Sequence, residues 1–301
     1  MAPDCGSPED EGFSAESLAV VARLRSRFRG ALLGLALGES LALPAQFLRP
    51  GSFTPFRDLI GGGPFDLPPG SWADDTALAL QLARSLLECR RCDPADQLSR
   101  FRRWQREGEG SVTGECLGIT ASVSRALVDG APSKQVADGA DALVRCAPLA
   151  MWHFADEDAL QRDVLLMAKV TSAEPATWQS TAEFSHLLHA ALRGGSIESS
   201  LTESTASAAG RMLGEVLAAI HDASGWREAV LRAVNEGGDA DIRAAATGQL
   251  AGAMFGVESI PAAWLAALAG RAEIEELADA LLTEVLVRMA GGDRSHAQEG
   301  A

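Results

Sequence analysis

The sequence predicts an all-α fold, a single compact helical domain. Three observations carry this. Between Ala77 and Leu87 every position is apolar except Gln81, Arg84 and Ser85, the pattern of a helix wrapped on most sides by neighbours. Ala, Leu and Gly dominate while Tyr is absent, which favours helices over sheets. No segment alternates apolar and polar residues as a half-buried strand would.

Composition bounds the rest. A 301-residue chain that is 47% hydrophobic can bury a large core. A net charge of −15 and no basic stripe argue against binding nucleic acid through its phosphates. No apolar run is long enough to span a bilayer, and Met1–Phe13 is too polar for a signal peptide. Five cysteines, an odd number, point to the reducing cytoplasm.

Taken in order, residues 1–15 read as a loose tail. Ser17–Leu41 reads as a helix, with Leu24, Phe28, Leu32 and Leu35 on an apolar face. Gly30, Gly34 and Gly38 fall at four-residue spacing on this helix, which implies that another backbone comes close. Between 47 and 70, Pro50, Pro55, Gly61, Gly62, Gly63, Pro64, Pro68, Pro69 and Gly70 exclude a helix. A long structureless loop in a compact domain is usually functional, and this one leads to Trp72 and Asp74. A helix over 77–89 follows, then Asp93-Pro94 opens one to about Glu107. Gly108–Gly118 is a small-residue loop whose amides could approach a phosphate. Further helices are expected at 119–128, 156–171, 176–193, 205–221 and 225–235, with a second small loop over 138–145. Gly237 and Gly238 end the last of these. A helix over 240–256 then repeats the four-residue glycine spacing at Gly248, Gly252 and Gly256. The helices over 77–89 and 240–256 are expected at the centre. The domain is placed at 16–290 and a second tail at 291–301.

Two features have plain readings. Cys89-Arg90-Arg91-Cys92 has CxxC spacing, but no second pair completes a zinc site and no strand precedes it as in thioredoxin. His186 and His189 share a helix face with no acid beside them in sequence, and read as ordinary helix surface.

The central helices carry the chemistry. Asp74 and Asp75 open one; Asp239 and Asp241 open the other. Asp at a helix start is an ordinary cap. Two buried helices that each begin with an acid pair can nevertheless bring four carboxylates to one point, a donor set suited to a hard cation such as Mg²⁺.

The motifs resemble the ADP-ribosylglycohydrolase family from about Arg27 to Val285. Its Arg-x-x-Gly-Ala leader reads Arg27-Phe28-Arg29-Gly30-Ala31, and its Gly-Asp-x-x-Gly-x-x-x-Glu turn reads Gly38-Glu39 through Gln46. Thr-Asp-Asp-Thr reads Ala73-Asp74-Asp75-Thr76, and Gly-Gly-Asp-x-Asp-Thr reads Gly237-Gly238-Asp239-Ala240-Asp241-Ile242. Gly256–Trp264 also resembles the family. The resemblance implies a two-Mg²⁺ cleft, with Asp74, Asp75, Asp239 and Asp241 as ligands and Asp74 or Asp75 as the catalytic acid–base group. It implies that Glu39, Gln46, Thr113, Gly114, Gly118, Asp141 and Arg145 line the substrate. The implied partner is ADP-ribose or an ADP-ribosylated protein, and the chain is expected to act as a monomer. Ala73 and Ile242 replace ligating threonines, Glu39 an aspartate, and Gln46 a glutamate near the reacting sugar. Ala140-Asp141 stands for an Asn-Gly pair, Val144-Arg145 for Met-Arg, and Ser172 for a histidine. The departures imply weaker metal binding, and keep open a second reading: a non-catalytic relative that binds ADP-ribose or a protein.

Overall fold

The computed structural model describes residues 14–135, 139–195, 197 and 207–298, with the backbone alone for 292–298. Helix α1 (Ala15–Ala42) begins where the Ser14 hydroxyl accepts the Ser17 amide. In chain order follow α2 (Asp74–Cys89), α3 (Pro94–Glu107), α4 (Ala121–Asp129), α5 (Asp141–Val144), α6 (Ala147–Trp152) and α7 (Glu157–Ala168). Then come α8 (Pro175–Arg193), α9 (Ala208–Ile220), α10 (Trp226–Val234), α11 (Ala240–Phe255), α12 (Ala262–Ala267) and α13 (Arg271–Gln298). The described residues form no sheet; one antiparallel bridge pairs Gly62 with Leu67. Side chains of Asp93, Thr120, Asp156 and Ser207 cap α3, α4, α7 and α9 by accepting first-turn amides.

At the centre α1 and α11 run against each other without intervening side chains. A methyl group on Gly30 would sit 2.3 Å from the Gly252 carbonyl oxygen, one on Gly34 2.2 Å from that of Gly248, and one on Gly38 2.1 Å from that of Ala244. The two glycine stripes are therefore each other's partners. The expected centre gains a third member: α11 pairs with α1, and α2, buried along most of its length, packs beside them. Trp226, wholly buried, donates its indole N–H to the Gly248 carbonyl at 2.9 Å and fastens α10 to the same seam. On the outer side, Asp279 of α13 accepts from both Arg25 and Arg29 of α1.

The loop between α1 and α2 is irregular but tied down. The Asn235 side chain accepts from Phe56 N at 2.7 Å and donates to Phe56 O at 3.1 Å. Trp264 donates to Asp58, and Gly62 and Leu67 exchange two backbone bonds.

Four expectations are revised or fall outside. The first tail lies outside the described residues up to Phe13, Ser14 caps α1 and Ala15 already belongs to it. Helix α13 passes the boundary drawn at 290 and runs to Gln298. Glycine at 291 and 292 costs about 1 kcal/mol per residue in a helix but raises no steric block, so the helix continues. Residues 205 and 206 of one expected helix, and Asp138 of the second small loop, also lie outside the described residues. The rest of that loop holds α5 over Asp141–Val144.

Candidate active site

The site is assembled where α1 ends and α2 and α11 begin. Past the Gly62–Leu67 turn the chain is pinned by Gly70, where a Cβ would lie 2.0 Å from the Ala267 carbonyl oxygen, and by Trp72, whose indole donates to Ala269 O at 2.9 Å. It enters α2 through Ala73, which has no capping side chain. The cap comes instead from Glu39, near the end of α1. Its carboxylate accepts Asp75 N at 3.1 Å, Thr76 N at 3.0 Å and the Thr76 hydroxyl at 2.5 Å. The plain reading of Asp74 and Asp75 as the cap of their own helix is thus replaced, and both side chains are left buried and available.

Asp74, Asp75, Asp241, Asp141 and Glu39 act on one another electrostatically. Burial, then the charges of Glu39, Asp241 and Asp141, raises Asp74 well above the carboxylate range. Burial and then Asp74 do the same for Asp75. Burial pushes Glu39 up to about 7 and Asp241 to about 6. The Oδ2 of Asp75 is buried with no hydrogen-bond partner. Gln46, at the end of the turn that follows α1, donates its amide to Asp241, leaving its own Oε1 buried and unpartnered. Gly118, at a left-handed φ of 83°, lies against Asp74: a Cβ there would be 2.1 Å from Oδ1. Only glycine admits the loop this close to the carboxylate.

Asp141, buried at the start of α5, accepts from the Thr120 hydroxyl at 2.8 Å. Arg145 is wholly buried and donates to Asp141 O, Met167 O and Thr171 Oγ1. Burial pulls its guanidinium down to about 10, while the charges of Asp141 and Asp75 favour its charged form. The structure thus brings Asp74, Asp75, Asp241, Glu39, Gln46, Gly118, Asp141 and Arg145 into one network.

Other residues stand apart. Asp239 is exposed at the N-cap of α11, where its charge helps to raise Asp241, and it also lines a cavity of about 640 Å³ with Glu215, Arg232 and Arg243. Thr113 and Gly114 are exposed, and the Thr113 hydroxyl is spent on the Glu115 backbone. Ile242 packs partly buried against the core, and Ala73 sits in a small cluster with Leu43 and Leu67. His186 pairs with Glu157 at the surface, whereas His189 is buried and meets Phe154 O at 3.0 Å, so the two share no metal face. Cys89 and Cys92 are free thiols. Three contributors were not read from the sequence. The Thr76 hydroxyl bonds Glu39, the Thr120 hydroxyl bonds Asp141, and the Cys116 thiol, pushed up to about 11 by burial and then by Asp74, lies near the acids. Contacts across 20 or more residues leave no local pattern.

Among the described residues no group of three or more His, Cys, Asp or Glu is arranged as a ready metal cage. The donor chemistry nevertheless fits a hard divalent cation. The available atoms are carboxylate oxygens, one of them has no partner, and burial with mutual repulsion drives the group toward protonation unless positive charge is supplied. Asp74, Asp75 and Asp241 are the residues that could hold it.

Comparison with known proteins gives a consistent result. The family model described as ADP-ribosylglycohydrolase matches residues 21–225 and 209–290. ADP-ribosylarginine hydrolase Tri1 of Serratia proteamaculans is 30% identical over 320 residues, covering 93% of this chain and 82% of that protein. ADP-ribosyl-[dinitrogen reductase] glycohydrolase of Rhodospirillum rubrum is 29% identical, covering 86% of this chain and 96% of that protein. A solved structure described as an ADP-ribosylglycohydrolase-related protein complex superposes with a TM-score of 0.76 at 33% identity, over 87% of this chain and 99% of that one.

Proposed function

The chain belongs to the ADP-ribosylglycohydrolase family, and we propose that it hydrolyses the N-glycosidic bond joining ADP-ribose to an arginine side chain of a protein. At the coarser level it is an ADP-ribosyl glycohydrolase, a hydrolase acting on glycosyl bonds. The arginine linkage is proposed because relatives from Serratia proteamaculans and Pseudomonas putida, at 30% and 31% identity, are ADP-ribosylarginine hydrolases.

The observation that carries the reading is the buried carboxylate network with its unpartnered Asp75 Oδ2. Glycosidic cleavage passes through a transition state with positive charge on the sugar, which buried carboxylates favour. With positive charge supplied to the cluster, Asp74 or Asp75 would be ionised and would take a proton from the attacking water as its oxygen bonds to the anomeric carbon. The carbon–nitrogen bond breaks, the guanidine leaves neutral, and the proton held by the carboxylate returns to it through solvent. Glu39 fixes the first turn of α2 through the amides of Asp75 and Thr76, and Gln46 fixes Asp241. The small-residue loop ending at Gly118 closes the cleft over Asp74. Mg²⁺ bound by Asp74, Asp75 and Asp241 would supply the positive charge that grips ribose hydroxyls and lowers the cost of the clustered acids. With Ala73 and Ile242 in place of threonines, two hydroxyl donors are missing, so the cation would be held by the carboxylates with water and more weakly than by a full donor set.

The test is turnover of arginine-linked and serine-linked ADP-ribosyl peptides with Mg²⁺ titrated. Release of ADP-ribose from the arginine-linked peptide alone is the expected result. Ala73 and Ile242 favour one competing reading, a non-catalytic binder. Binding of ADP-ribose without turnover at saturating Mg²⁺ would establish it.

A further inference from the structure

Phe47 follows Gln46, the residue whose amide meets Asp241, and its backbone is left-handed at a φ of 65°. That region is uncommon for any side chain and strained for a bulky aromatic. Two hydrogen bonds impose it. Phe47 N donates to Gly238 O and Gly238 N donates to Leu48 O, both at 2.8 Å, so the segment is stitched to the residues just before Asp239. The contact is tight: a Cβ on Gly237 would lie 2.5 Å from Leu48 O.

Nothing in the fold calls for phenylalanine here. Glycine or asparagine would take this φ with less strain. The residue is 68% exposed, so burial does not compensate for the backbone. The fold holds a strained aromatic in solvent, one residue from a side chain that touches the carboxylate cluster. Backbone strain retained where the fold gains nothing points to function.

We propose that Phe47 is a specificity residue for the amino acid that carries ADP-ribose, its ring stacking on the planar guanidinium of a modified arginine. This rests on the reading of the site as an ADP-ribosylarginine hydrolase. A guanidinium is cationic and flat, and pairs with aromatic faces. An aromatic ring one residue from Gln46, which meets Asp241, orients it beside the cluster. A serine-linked substrate has no such group.

The experiment uses the full chain with Mg²⁺ and compares wild type, Phe47→Gly and Phe47→Trp. It reads KM and kcat on an arginine-linked ADP-ribosyl peptide, the Kd for ADP-ribose, and Tm. A cation–π contact of ordinary strength predicts a KM about five- to thirty-fold higher in Phe47→Gly. Its kcat and ADP-ribose Kd stay at the wild-type values, and its Tm is unchanged or higher because glycine relaxes the φ. Phe47→Trp keeps a KM near wild type. An unchanged KM in Phe47→Gly overturns the inference alone, as does an ADP-ribose Kd weakened by the same factor as KM, or a lowered Tm with both substitutions equally impaired. A wild type that does not turn over the arginine-linked peptide overturns the functional reading and this inference with it.

Discussion

Glu39 caps a helix that starts 35 residues further along the chain: its carboxylate accepts both the amide and the hydroxyl of Thr76. The amide of Asp75 completes the set. Three donors of a buried helix start therefore depend on a single side chain from another helix. A helix N-terminus is the place where a negative group is most favoured, and here that group also belongs to the acid cluster.

The first prediction follows from this cap. Glu39→Ala leaves two amides and a hydroxyl buried without partners. It should destabilise the fold by about 2–4 kcal/mol, since each buried unsatisfied group costs roughly 1–3 kcal/mol and some regain water. Glu39→Gln retains an acceptor oxygen and should lose less. Urea denaturation of the three proteins checks both the size and the order of these losses.

The second prediction concerns the seam of α1 and α11. In Gly248→Ala the new methyl would lie 2.0 Å from the Gly34 carbonyl oxygen. The obstacle is backbone, so the helices must part, and the loss should exceed 3 kcal/mol or prevent folding. Gly214→Ala in α9 is the control, because a Cβ there meets nothing within 4 Å. Helix propensity then acts alone, and this variant should be neutral or more stable by about 0.5–1 kcal/mol. Thermal melts of both variants provide the comparison, and equal behaviour would contradict the contact.

The third prediction tests the α1–α13 clamp through pH. Hydrogen bonds from Arg29, then from Arg25, hold the Asp279 carboxyl down at about 2. A depressed carboxylate stabilises the fold above its unfolded value, near 3.9, and the contribution is lost as pH falls through about 2. Asp279→Asn should therefore lower stability at pH 7 by about 1 kcal/mol, a modest figure because Arg25 is more than half exposed. The gap should be constant above pH 5 and close between pH 4 and pH 2. Chemical denaturation across that range measures it, and a gap that persists at pH 2 would show that the carboxylate charge is not its source.

A fourth prediction concerns the cation. Asp241→Ala removes one of the clustered charges. It should abolish the rise in Tm on adding Mg²⁺. Ala73→Thr with Ile242→Thr should act in the other direction, raising Mg²⁺ affinity and hydrolysis rate together. A fixed hydroxyl replaces a mobile water, and a positioning error of about 1 Å costs on the order of a hundredfold in rate. Calorimetric Mg²⁺ titration beside a turnover assay separates the outcomes. The same Mg²⁺ response in wild type and Asp241→Ala would remove Asp241 from the ligand set.

The helical architecture was legible because its signals are local. The Ala77–Leu87 run, the Asp93-Pro94 start and the Gly237-Gly238 stop each act over a few residues. The glycine stripes were legible as close backbone approach, since little else justifies glycine inside a helix. That the stripes meet each other is a tertiary fact which spacing does not carry. Asp74, Asp75 and Asp241 were readable as buried acids from the apolar helices they open. Asp239 was not separable from Asp241, because the sequence does not show that the N-cap position faces outward while the first turn faces in. The left-handed turn at Phe47 was hidden for a related reason: the residue type argues against that conformation, and only the bonds to Gly238 enforce it.

The seam between α1 and α11 also governs how the site fails. Glu39 is one residue beyond Gly38, and Asp241 precedes by three residues the Ala244 carbonyl that Gly38 touches. Their separation is set by main chain on main chain, with no rotamers in between to relax or wobble. Amide hydrogens along this seam should exchange with deuterium only through global opening, while the loops beside the carboxylate cluster exchange through local fluctuations. On heating, the protein should lose its grip on substrate from the rim inward, and the spacing of Glu39 and Asp241 should persist until the whole fold melts.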